Sequence, residues 1–161
     1  MRNALFMFGG MLAAVLLGLV LFHSLADRGT PMDRALKENA AQNDRNAMLR
    51  ADFEQAAGGI RTAIAEYYSN TGRLPEDNAS CGLPPADAYR GRTLRSATVD
   101  RTGSVTFVFD GNSGKDGGRI RLVADISDRD RVQAMGVQWR CETNDYPQIK
   151  QALPICEYRD R

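Results

Sequence analysis

The stretch "LRADFEQAAGGIRTAIAEYY", Leu49 to Tyr68, decides how the chain folds. Leu49, Phe53, Ala56 or Ala57, Ile60, Ile64 and Tyr67 recur three and four positions apart. That spacing draws one apolar stripe along an α-helix, suited to lie across a sheet. Gly58 and Gly59 interrupt the stripe. Each costs about 1 kcal/mol against alanine inside a helix, which predicts close packing or a slight bend there.

The helix extends in both directions. Thr30 suits its cap and Pro31 its first turn, where no amide hydrogen is needed. No proline follows from Met32 to Asn70, which allows about 39 helical residues, roughly 58 Å. The first half, "DRALKENAAQNDRN" (Asp33–Asn46), has little apolar face to bury. It reads as a solvated stalk or as a surface packed by neighbouring subunits. "NTG" ends the helix, with Gly72 as a left-handed cap and Pro75 beyond it.

Residues 73–92 carry three prolines and two glycines and read as a loop of about twenty residues. Its "NAS" at Asn78 matches the N-glycosylation pattern, which is common by chance. Strand signals follow in "RSATVD", "SVTFVFD", "RIRLVADI" and "GVQWRC". Val105, Phe107 and Phe109 share one face of the second; Ile120, Leu122, Ala124 and Ile126 share one face of the third. Val137, Trp139 and Cys141 share one face of the fourth. "DRTG" and "GNSGKDGG" carry turn residues between them, the latter a flexible hairpin loop. One long helix followed by four short antiparallel strands is an α+β arrangement, with the sheet packed on the amphipathic half-helix.

Composition and motifs argue against several functions. The chain has 161 residues, 21 basic and 20 acidic, for a formal charge of +1. That balance gives no basic stripe for a nucleic-acid partner. The only histidine, His23, stands at the end of an apolar run, so no Ser-His-Asp set can be assembled. "GNSGKDGG" lacks phosphate-loop spacing. Asp110, Asp116, Asp125 and Asp128 lack the spacing of an EF-hand and read as turn acids. Three cysteines without a usable histidine make no complete zinc site, and no Cys-x-x-Cys occurs. A disulfide between Cys141 and Cys156 is the plain reading, leaving Cys81 over. The expectation is a non-enzymatic protein with no cofactor and no metal.

"ALFMFGGMLAAVLLGLVLF", Ala4 to Phe22, is 19 residues without a charge. As a helix it would span roughly 28 Å, close to a bilayer core of about 30 Å. A membrane anchor is expected, because the run is longer than a signal-peptide core; cleavage after "SLA" (Ser24–Ala26) is the competing reading. The expected organisation is an anchor at 1–26, a polar stalk at 27–55 and a globular head at 56–161. Arg28, Arg34 and Lys37 after the span favour a cytoplasmic C-terminus. A structural disulfide favours export.

"TAIAEYYSNTGRLPEDNASCGL" (Thr62–Leu83) resembles the end of the spine helix of type IV pilins and the loop after it. "GVQWRCETN…ALPICEYR" resembles their last strand, closing disulfide loop and ending. The resemblance runs from about Ala56 to Arg159. It implies a helix packed on a four-stranded antiparallel sheet, and an exported head. It also implies two exposed edges that touch other subunits. Asn78, Cys81 and Tyr89 mark the first; Asp145, Tyr146 and Lys150 mark the second. The N-terminus departs from the family, with no acidic residue in the apolar run and no Phe-Thr-Leu-Ile-Glu signature.

Two functions follow from the resemblance. One is an accessory or minor subunit of a type IV pilus system, involved in adhesion or motility, its partners pilin subunits or assembly proteins. The other is a membrane-tethered, non-polymerising binding module that regulates assembly or acts as a decoy. The expected location is the inner membrane with the C-terminal domain in the periplasm, or a surface pilus, where an extracellular ligand is a further partner.

Overall fold

The computed structural model describes residues 17–20 and 30–160. Most of the expected anchor, Ala4–Phe22, lies outside the described residues. Among those described, no helix is long and apolar enough to cross a membrane. Packing divides the chain into Met1–Gln42 and Asn43–Arg161.

Helix α1 runs from Pro31 to Thr71 without a break. Its start is a reciprocal cap. The Asp33 amide donates to Thr30 Oγ1, and the Thr30 amide and hydroxyl donate to Asp33 Oδ2. Within the second unit, Leu49, Phe53, Ala57, Ile60 and Ile64 are its buried residues, so the stripe falls where the spacing placed it. Ala57 takes the inner position and Ala56 flanks it; Tyr67 is only half-buried. Gly72 ends the helix at φ +70°, its amide donating to the Tyr68 carbonyl. The expectation of close packing at the paired glycines is corrected: a Cβ on Gly58 or Gly59 would meet nothing within 4 Å.

The sheet comprises β1 (Leu94–Val99), β2 (Val105–Phe109), β3 (Arg119–Asp125), β4 (Gln138–Thr143) and β5 (Cys156–Tyr158), in that spatial order. The first four are antiparallel and occupy the four predicted segments. In register, Ala97 faces Phe107, Val105 faces Leu122, and Leu122 faces Cys141. These inward residues close one core with the α1 stripe. Phe53 and Phe107 meet there with ring centroids 4.9 Å apart.

The sheet has a fifth strand that four-strand counting omits. β5 pairs parallel to β4, with Cys141 opposite Cys156. A parallel neighbour needs a crossover of about a dozen residues. Residues 144–155 supply it, and carry the one-turn helix Ile149–Ala152. A second short helix, Arg129–Met135, separates β3 from β4, capped by Asp128, which accepts from the Arg131 amide.

Candidate functional site

The six residues expected at partner-contact edges fall into two groups beside opposite edges of the sheet. Asn78, Cys81 and Tyr89 lie in the loop that precedes β1. Asp145, Tyr146 and Lys150 lie in the crossover between β4 and β5.

In the first loop, Ala79–Cys81 and Ala86–Ala88 each form a 3-10 turn, and the second packs beside β1. Asn78 is 8% exposed and its side chain is fully committed. Nδ2 donates to the Pro84 and Ala97 carbonyls at 2.9 and 3.0 Å, and Oδ1 accepts from the Val99 amide at 2.7 Å. Both amide hydrogens are in use, so the glycosylation motif is closed in the folded head. Cys81 is half-buried, its thiol 3.5 Å from the Asn78 carbonyl; burial pushes its pKa up, which makes it a poor nucleophile. Tyr89 packs against the core, and burial likewise raises its phenol.

Asp52 fastens this loop to the helix, and sequence reasoning missed it. One carboxylate oxygen accepts from the Thr93 amide (2.6 Å), the Thr93 hydroxyl (2.7 Å) and the Leu94 amide (3.1 Å). Its partners lie 41 and 42 positions away, so beside Phe53 it reads as an ordinary solvated acid. A groove of about 310 Å³ opens next to it, bordered by Ala56, Gly59, Leu83, Tyr89 and Arg90. Gly91 is held against Asp52: a Cβ there would lie 2.4 Å from the carboxylate.

The second loop is held by charge as well as by covalency. Cys141 and Cys156 form the disulfide. Asp145, 9% exposed, accepts from Lys115 Nζ at 2.7 Å and from the Arg119 amide at 2.9 Å. Burial pushes its carboxyl up, but the Lys115 and Arg119 hydrogen bonds and charges outweigh that and hold it below the usual carboxylate value. Tyr146 Oη lies 2.7 Å from Ser113 Oγ, and its ring meets Phe109 edge-on. The "GNSGKDGG" loop is therefore no loose hairpin. Asp110 caps its 3-10 turn, and Tyr146 and Asp145 clasp it to the crossover. Lys150 is exposed and pairs with Glu157. Ile155, beside the disulfide, is 67% exposed.

The turn acids are likewise engaged within the chain. Asp116 pairs with Arg95, and Asp125 accepts from Ser127 and pairs with Arg140. Among the described residues, no group of three or more His, Cys, Asp or Glu is placed to hold a metal. The arrangement is a scaffold: two loops fixed in shape at either side of a sheet.

No curated protein matches the chain. The family model for pilin, the bacterial filament protein, matches residues 53–154. That span takes in the buried stripe of α1 from Phe53 onward, the four antiparallel strands and most of the crossover, and the chain belongs to the pilin family.

Proposed function

We propose that this chain is an accessory, or minor, structural subunit of a type IV pilus system, serving adhesion or motility. The observation that carries the reading is a pilin head whose two flanking loops are both fixed, one by Asp52 and Asn78, the other by the disulfide and Asp145. Fixed loops suit a subunit that must dock the same way each time, because little ordering entropy remains to be lost on contact. In this reading 1–26 is an inner-membrane anchor, 27–55 a helical stalk whose Leu49, Asp52 and Phe53 already pack with the head, and 56–161 a head in the periplasm or on the fibre. Its partners are pilin subunits and assembly proteins.

A second reading is a tethered module that regulates assembly or acts as a decoy. It is favoured by one sequence fact: no Asp or Glu precedes Asp27. The two part experimentally. Sheared pili from the source bacterium should contain the protein if it is a subunit. Fibres free of it, together with normal pili after its deletion, refute the subunit. Sequencing the mature N-terminus adds a direct discrimination. A trimmed or methylated start within the apolar run marks a processed subunit, and an uncleaved Met1 marks the tether.

A further inference from the structure

β1 is an edge strand, and its sequence, Leu-Arg-Ser-Ala-Thr-Val, has no proline and one charge. Such an edge is a template on which a strand from another chain can pair. Yet four of its outward backbone groups are already engaged within the chain. The Asn78 amide group donates to the carbonyl of Ala97 and accepts from the amide of Val99. Those two groups flank Thr98, so one side chain makes the pair of bonds that one residue of a parallel strand would make there. At the other end, Asp52 accepts from the Leu94 amide, and the Gly91 amide donates to the Leu94 carbonyl. Asn78 is itself held by its second hydrogen on the Pro84 carbonyl, within the same loop.

We propose that Asn78 is an edge guard, which occupies β1 as a one-residue surrogate strand and so prevents a second copy of this chain from pairing with that edge. Contacts between copies are thereby left to side-chain surfaces, and the loop between α1 and β1 owes its shape to this duty. The chemistry is specific. A guard must offer a donor and an acceptor on one planar group, which asparagine does. Aspartate keeps the acceptor for Val99 and loses the donor for Ala97.

The test uses the full chain in detergent, with self-association measured by light scattering and the Val99 amide followed by hydrogen exchange. Asn78→Ala should strengthen self-association by about tenfold or more over the parent. Its Val99 amide should exchange quickly when dilute and become protected again as the protein is concentrated. Ile64→Val serves as a control weakened by packing alone, and should associate no more than the parent. Equal association of Asn78→Ala and parent, or of Asn78→Ala and the control at matched stability, overturns the proposal. So does a Val99 amide that stays fast at high concentration. Should Asn78→Ala not fold, Asn78→Asp carries the same comparison: association above the parent supports the guard, and parent-like association refutes it.

Discussion

At the scale of single residues, two aspartates do the fastening. Asp52 gives one carboxylate oxygen to three donors, and Thr93, which supplies two of them, is fully buried. Hydrogen bonds to a charged acceptor are worth about 1.5–3 kcal/mol, and orphaned buried donors cost a similar amount. Asp52→Ala should therefore destabilise the head by about 2–3 kcal/mol in urea denaturation. Asp52→Asn, which keeps one acceptor oxygen, should cost less. Asp145 sets the response to acid. Its folded carboxyl sits below the unfolded value of about 3.9, so its contribution is complete above that value and is lost as pH falls through the folded one. Stability measured between pH 7 and pH 3 should drop below about pH 4 in the parent, and Asp145→Asn should start lower and fall less steeply.

At the scale of elements, α1 carries a cost that its own chain does not require. Gly58 and Gly59 adopt ordinary helical backbone, and a Cβ on either would touch nothing. Alanine at either position should raise stability by up to about 1 kcal/mol, read as a higher denaturation midpoint. Both substitutions should leave the isolated fold unchanged. β5 is the opposite case, a three-residue strand that depends on its staple. Replacing Cys141 and Cys156 by alanine should cost about 3 kcal/mol, since the unfolded chain regains the freedom of the closed loop. It should also expose the amides of β5 to exchange before those of β1 to β4.

At the scale of the whole molecule, the expectation concerns oxidation state. One thiol per chain, Cys81, should react in denaturant after purification from the source compartment, and it should react slowly in the native protein because burial raises its pKa. Three thiols would contradict the disulfide.

Much of this architecture was legible because its causes are local. The Leu49–Ile64 stripe, the Thr30 cap, the Gly72 stop and the alternation of Val105, Phe107 and Phe109 each depend on neighbours within a few positions. The sequence alone therefore determined the long helix, the four antiparallel strands, the α+β class and the pairing of two cysteines. What only the tertiary structure decided was joined across long stretches of chain. Asp52 meets Thr93 across 41 positions, Asn78 meets Val99 across 21, and Asp145 meets Lys115 across 30. The parallel strand β5 belongs with these, because its register exists only once the crossover has returned Cys156 to Cys141. A carboxylate or amide is the same letter whether it faces water or closes a sheet edge, and only its folded partners distinguish the two.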